Sequence, residues 1–535
     1  MHFLPQSLTL GAGLFLILAL GLALSFEFVN GFHDTANAVA TVIYTHTLPA
    51  WIAVIWSGCW NLIGVLTSSG AVAFSILALL PVELVVNIGS ATGFAMVFAL
   101  LISAIMWNLG TWYLGLPASS SHTLIGSIMG VGLANSLLAK GHVFGEGVNW
   151  HKVTEVFTTL LVSPVVGFVC SALLLVVMKK LIRKPELYTA PAKNTPPPMS
   201  IRALLVLTCT GVSFAHGNND GQKGMGLILL ILIGILPGAY ALNMGADSAQ
   251  VQKIESSAIQ AAAQLDAHAT GAAVTADEAP DVLSDYLKTT GVVSDRTYSA
   301  IALVNHELAA DLAGKSSFRD LPGDQVKAVR TRIYLLGGAI AKLKAQHLIK
   351  KDTPEEKSLS AYQAELTDAT QYIPTWVKFA VAIALGLGTM IGWKRIVVTV
   401  GEKIGKEHLT YAQGASAELV AMATIGGATW FGLPVSTTHV LSSGVAGTMA
   451  ANHSGLQMNT LRNLLLAWVL TLPVCLILGA GSFSAGLFLI FTTPLRRLIS
   501  IAALAVIGLI VWRLCNAFRL TTCSADAHNA VTAAA

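Results

Sequence analysis

The sequence predicts an all-α polytopic membrane protein: two inverted repeats with broken or re-entrant helices, about 10–12 membrane segments, and a helical extramembrane insert. Three observations predict it. The chain is 54% hydrophobic and 11% charged, with a mean hydropathy of +0.67, whereas a soluble domain carries about 25% charged residues. Several apolar runs reach spanning length, and in lipid helices fill such runs without orphaning backbone polar groups. Finally, Gly115-Leu-Pro-Ala-Ser-Ser-Ser-His122 returns as Gly432-Leu-Pro-Val-Ser-Thr-Thr-His439, each copy after a Thr-Trp pair (Thr111-Trp112, Thr429-Trp430).

In chain order, residues 1–178 read as the first transmembrane repeat. Leu8–Val29 is its first span, with neither the basic flank nor the cleavage site of a removed signal peptide. Asn30-Gly-Phe-His-Asp-Thr-Ala-Asn37 is a polar break, after which the run resumes to Tyr44. Ala50–Leu66, Val85–Met106 and Val153–Met178 are further spans, and Gly110–Leu138 is expected to hold a hairpin of two half-helices. Residues 179–202 form a basic, Pro-rich linker, and residues 203–244 start the second repeat, broken at Phe214–Gly224. Residues 245–372 are Ala-rich and charged with both signs, with no spanning run, and read as an extramembrane helical insert with flexible parts. The second repeat resumes over 373–492, with runs at Trp376–Ile391, Tyr411–Trp430, Leu433–Ala450, Leu464–Gly479 and Ser484–Thr492. Residues 493–535 add an extra apolar run, Leu498–Trp512, and a polar tail expected to be disordered.

Lys and Arg concentrate in the 179–202 linker and in Lys394–Lys406. The positive-inside rule puts both in the cytoplasm, the 245–372 insert outside the cytoplasm and the N-terminus outside. The net charge of +4 is small and leaves no nucleic-acid footprint. The six cysteines are scattered without metal spacing and read as small hydrophobes.

A second duplication tests the repeat. His33-Asp34-Thr-Ala-Asn37 corresponds to Asn219-Asp220-Gly-Gln222-Lys223. Asp34 precedes His122 by 88 positions; Asp220 precedes His439 by 219, and removing the 128-residue insert leaves 91. Both pairs of motifs therefore belong to one repeat.

Pro117 and Pro434 suit a first helical turn, the Ser/Thr triplets can cap it, and the free amides with the positive dipole end suit an anion. An isolated triplet is more often a set of hydroxyls bonded to their own helix; two matched copies point to a substrate site. Asp34 and Asp220 are costly within spans and read as proton or cation sites rather than structural hydrogen-bonding groups. Asn37, Asn218 and Asn219 add neutral donors and acceptors. His122 and His439 read either as braces of the half-helices or as titrating groups; His33 and His216 are similar. Glu418 reads as a secondary ionic group, above Glu27. Lys223 is the one cation in the motifs, so a bare divalent oxyanion would face two carboxylates with little compensation. An anion that arrives with protons, sodium or a divalent metal near Asp34 and Asp220 fits better.

At these residues the chain resembles the inorganic phosphate transporter (PiT) family, and within it the bacterial low-affinity Pit phosphate permeases. The resemblance rests on Asn30–Thr41 (NGFHDTANAVAT), Trp107–Gly126, Ser213–Gly226 around HGNNDGQKG, Leu387–Gly405 around GTMIGW and GEKIG, and Leu433–Gly447 (LPVSTTHVLSSGVAG). It implies a non-enzymatic, dimeric importer of inorganic phosphate in the bacterial inner membrane. Proton symport and metal–phosphate complexes as substrates are also implied, without a resident cofactor. Carried over residue by residue, Ser119, Ser120, Ser121, Ser436, Thr437 and Thr438 contact phosphate, and Asp34, Asn37, Asp220 and Asn219 line the phosphate and coupling-ion site. Read from the residues themselves, Lys223 and Glu418 join the coupling-ion set, with His33, His122, His439, Asn218 and Gln222 in support. Sodium-coupled relatives resemble Asp-x-x-Asn in both repeats; Lys223 replaces the second Asn here, which favours protons over sodium. The rivals are another oxyanion such as sulfate on the same scaffold, and a membrane phosphohydrolase with His33, Asp34 and His122 as metal ligands, which leaves the duplicated triplets unexplained.

Overall fold

A computed structural model describes residues 10–79, 90–138, 144–145, 148–191, 196–269, 271, 273–288 and 291–491, with the side chains of 35–37, 238, 324, 490 and 491 excepted. The extra apolar run 498–512 and the tail lie outside these residues. The first half comprises α1 (Leu10–Tyr44), α2 (Ala50–Leu66), α3 (Ala71–Leu77), α4 (Ala91–Tyr113), α5 (Ser120–Leu138) and α6 (Trp150–Leu181). α7 (Met199–Ile235) opens the second half. Five helices follow in residues 248–370: α8 (Ser248–His268), α9 (Ala279–Leu287), α10 (Asp295–Leu312), α11 (Gly323–Ala345) and α12 (Pro354–Thr370). α13 (Thr375–Ile391), α14 (Lys394–Glu402), α15 (Tyr411–Trp430), α16 (Thr437–Ala451) and α17 (Met458–Phe491) complete the described residues.

The described residues contain no named strand. α1, α4, α6, α7 and α17 are each long and apolar enough to cross a bilayer, and α2 with α3 forms a further apolar pair bent by 75°. The chain is an all-α, multi-pass membrane protein.

Helix packing exchanges partners between the halves. α1 lies on α13, and its counterpart α7 lies on α2. α5 lies on α17, and its counterpart α16 lies on α6. Glycines make the first exchange possible. A Cβ on Gly31 would run into the backbone of Leu385 and Thr389 in α13, and one on Gly217 into the backbone of Asn61 in α2. Small residues let helix backbones touch where lipid offers no hydrophobic drive.

This packing corrects the expectation of breaks at Asn30–Asn37 and Phe214–Gly224. α1 and α7 run through both as unbroken helices. The glycines there are points of close approach, and the polar side chains turn inward toward one another. The runs Leu464–Gly479 and Ser484–Thr492 likewise join into α17, whose Gly479 packs against the backbone of Ser127. The hairpin at Gly110–Leu138 is a full-length α4 followed by α5.

Residues 248–370 pack around a core that includes Leu283, Val304, Leu336 and Tyr362 and also takes in Leu229 and Ile233 from the end of α7. Asp247, Ser294 and Thr353 cap α8, α10 and α12. Tyr362 Oη donates to Asn305 Oδ1 (2.9 Å), and Asn305 Nδ2 donates to the Ala258 carbonyl (2.8 Å) inside it. The neck of this bundle closes where Asn243 N donates to the Ala369 carbonyl at 2.9 Å.

Candidate functional site

The two Gly-Leu-Pro segments fold alike. Each ends a helix in a left-handed glycine, Gly115 (φ 68°) and Gly432 (φ 66°). Gly115 N donates to Trp112 O and Leu116 N to Thr111 O, both at 2.9 Å. Gly432 N donates to Thr429 O (3.0 Å) and Leu433 N to Ala428 O (2.8 Å). This paired closure of the last carbonyls needs a residue that tolerates positive φ. The proline then turns the chain into a new helix, capped by Ser119 (from His122 N, 3.2 Å) and Ser436 (from His439 N, 3.2 Å).

The two triplets thereby meet at one carboxylate. Ser120 Oγ donates to Asp34 Oδ2 at 3.2 Å, and Thr438 Oγ1 donates to Asp34 Oδ1. Ser121 Oγ donates to the Val435 carbonyl (2.8 Å) and accepts from Lys223 Nζ (2.5 Å). Lys223 Nζ also lies 2.8 Å from Asp220 Oδ2. All of these residues are buried. Of the six triplet hydroxyls, those of Ser119 and Ser436 are committed to capping, and Thr437 Oγ1 has no hydrogen-bond partner.

His216 stands between the two carboxylates. Its Nε2 stands 3.8 Å from Asp34 Oδ2 and 3.5 Å from Asp220 Oδ2. Its Nδ1 lies 2.6 Å from Asn61 Oδ1, an acceptor, so Nδ1 carries the hydrogen and Nε2 faces the carboxylates. Asp34, His216 and Asp220 offer ligand atoms within 4.8 Å of one another, which suits a cation. The sequence alone leaves His216, like His33, His122 and His439, as either a brace or a titrating group. The signal that would have found it is the four-residue spacing to Asp220, which puts both on one face of α7.

The remaining residues surround this set. His33 Nε2 lies 3.1 Å from Thr111 Oγ1, and its Nδ1 is 4.0 Å from Asp34 Oδ1. Asn219 Nδ2 donates to Thr429 Oγ1 (2.8 Å) and to the Leu433 carbonyl (3.2 Å), so it clamps the second Gly-Leu-Pro turn. Gln222 Oε1 accepts from Val72 N (2.9 Å), and its Nε2 donates to the Asn218 carbonyl (2.6 Å), tying α7 to α3. The His122 and His439 rings pack at 4.7 Å, with Trp468 4.3 Å from His439. The side chain of Asn37 lies outside the described ones.

Glu418 stands apart. It accepts from Thr208 Oγ1 at 2.5 Å. Thr208 precedes Asp220 on α7 by 12 residues, or about 18 Å of helix.

A model of the phosphate transporter family matches residues 30–479. The chain belongs to the phosphate transporter family. The low-affinity inorganic phosphate transporter PitA of Escherichia coli is 40% identical over 499 residues, covering 90% of this chain and 99% of that one. PitB of the same organism is 40% identical over 493 residues, covering 89% and 98%. A probable low-affinity inorganic phosphate transporter of Bacillus subtilis is 28% identical over 462 residues, covering 86% and 94%. A solved structure, the sodium-dependent phosphate transporter, aligns with a TM-score of 0.48 and 20% identity, over 88% of this chain and 98% of that chain. The family is one of transporters, not enzymes, which removes the phosphohydrolase reading. Its proposed ligand trio is also not assembled, since His33 turns to Thr111 and His122 packs on His439.

Proposed function

We propose that this protein imports inorganic phosphate across the bacterial inner membrane as a complex with a divalent metal, by proton symport. The observation that carries the reading is the convergence of both triplets on Asp34, beside Asp220, His216 and Lys223. The phosphate end would take the hydroxyls of Ser120, Ser121, Thr437 and Thr438, and Lys223 Nζ. Ser120 and Thr438 now donate to Asp34, so the carboxylate stands where the hydroxyls expect an anion. The metal end would lie at Asp34 Oδ2, His216 Nε2 and Asp220 Oδ2, whose 3.5 and 3.8 Å separations suit ligands sharing one ion.

Charge supports the complex over the bare anion. With His216 neutral, as a metal ligand has to be, Asp34 and Asp220 against Lys223 leave one net negative charge in a buried cluster, so a neutral metal–phosphate unit meets the smallest desolvation penalty. A proton-bearing phosphate can also donate to a carboxylate, which fully ionised sulfate cannot. Alternating access of two inverted repeats is part of this reading, supported by the exchanged packing of α1/α13 with α7/α2. So is a cytoplasmic position for the basic segments. Asn452 Nδ2 donates to Tyr188 O (3.5 Å) and Lys406 N to Gly455 O (3.1 Å), so both segments share one end of the helices. The 248–370 bundle follows the opposite end of α7 and would face outward.

The test is uptake of labelled phosphate in proteoliposomes under imposed proton or sodium gradients, with and without divalent metal. Uptake is expected to follow the proton gradient, to need metal, and to be lost in Asp34→Asn and Asp220→Asn. Uptake that requires sodium, ignores metal or yields equally to sulfate would overturn the corresponding part.

A further inference from the structure

Glu27 is a buried carboxyl that the site does not use. It is 0% exposed, in an apolar stretch of α1. Its Oε2 accepts one long bond, from Asn30 Nδ2 at 3.4 Å, and its Oε1 has no partner. Helical spacing puts Glu27, Asn30 and Asp34 on one face of α1, with Glu27 about 10 Å from Asp34 along the axis. Across from it lies Gly224, where a Cβ would collide with the Glu27 carboxyl. The chain therefore leaves room for this group one turn beyond Asp220. The charged or titrating groups that face it are Asp220, Lys223 and His216, all from α7.

We infer that Glu27 carries the proton moved with phosphate, an assignment that rests on the proton-symport reading above. Lys223 does not neutralise it, because that ammonium is held between Asp220 and Ser121. A structural carboxylate at this depth would be surrounded by donors; Glu27 has one distant amide. It is stable there as the neutral acid, with the proton on a carboxyl oxygen. Loss of that proton would raise the cluster from one net negative charge to two. Phosphate that reaches the triplets without its metal raises the penalty further, so that anion and the proton each favour the other's presence. Such reciprocity is what symport requires of its two sites. The side of entry also fits. Gly388 of α13 and Gly392, which caps it, pack at Phe28 and Phe32, so α1 and α13 run in parallel. Glu27 then lies between Asp34 and the helix ends that carry the 248–370 bundle, whereas Glu418 lies on the opposite side of Asp34, with Thr208.

The test is reconstituted full-length protein under a one-unit pH gradient, which drives about tenfold accumulation of phosphate at one proton per phosphate. Glu27→Gln, a permanent neutral isostere, is expected to hold the accumulation ratio near one while still exchanging internal for external phosphate. A Glu27→Gln protein that accumulates like wild type overturns this assignment alone. A wild type that ignores the proton gradient overturns the symport reading and this assignment with it. If Glu27→Gln does not fold, Glu27→Asp decides: its shortened acid is expected to lower driven accumulation far more than exchange, and an equal loss of both refutes the role.

Discussion

Lys223 is the best place to test the electrostatics of the cluster. Its side chain is 0% exposed, and its ammonium lies 2.8 Å from Asp220 and 2.5 Å from Ser121. Lys223→Met keeps most of the volume and removes the charge. Asp220 would then lose its one lysine and keep only the His216 ring, 3.5 Å away, since neither of its oxygens has a hydrogen bond among the described residues. Stranding one member of a buried pair costs about 3–5 kcal/mol, whereas replacing both members by neutral groups is close to neutral. The double variant Lys223→Met/Asp220→Asn should therefore recover about 2–4 kcal/mol of the single variant's loss. Equilibrium unfolding in mixed micelles, followed by fluorescence of the 11 tryptophans, measures both. If the double variant is no more stable than Lys223→Met, the ion pair is not what holds Asp220 in place and the charge count for the site fails.

Three other outcomes are expected. Gly217→Ala should lose about 1–3 kcal/mol by overpacking α7 against the Asn61 backbone, whereas Ala at the open Gly426 should not, in the same unfolding assay. Tyr362→Phe should lose about 1–3 kcal/mol by leaving buried Asn305 Oδ1 without its donor; Tyr362→Phe/Asn305→Leu, measured alongside, should lose less than the two single changes together. In the bundle, Asp320 accepts from the Ser316 hydroxyl and amide (3.0 Å each) and the Ser317 amide (2.9 Å), which hold its carboxyl below the usual range. A lowered folded value means that its contribution is present above the unfolded value and fades as pH falls through the folded one. Asp320→Asn should therefore flatten the acid limb of a melting-temperature profile and leave the alkaline limb unchanged.

Much of this was legible in the sequence because it is local. A Gly-Leu-Pro-x-Ser/Thr string specifies a left-handed helix end, a proline start and a hydroxyl cap without outside help. The run Ala50–Leu66 coincides with α2 for the same reason: its composition alone decides the helix. The reading went wrong where a residue's meaning depends on a distant neighbour. Gly31 and Gly217 look like helix breakers until α13 and α2 are laid against them. His216 looks like any buried histidine until Asp34, 182 positions away in the chain, comes within 3.8 Å of its ring. Glu418 reads as a secondary ionic group from its apolar surroundings alone, and only the fold shows that its hydrogen-bond donor is Thr208.

The neck at Asn243 and Ala369 has a practical consequence. The two strands of chain that lead into the bundle are joined there by a single backbone bond of 2.9 Å. A cut at that waist can be bridged by a few residues without pulling α7 from α13, because chain ends this close tolerate exchange of what hangs between them. The bundle is nevertheless no detachable cassette, because its core also buries Leu229 and Ile233 of α7. A fluorescent reporter or affinity handle grafted in its place would have to cover that end of the helix that holds Asp220.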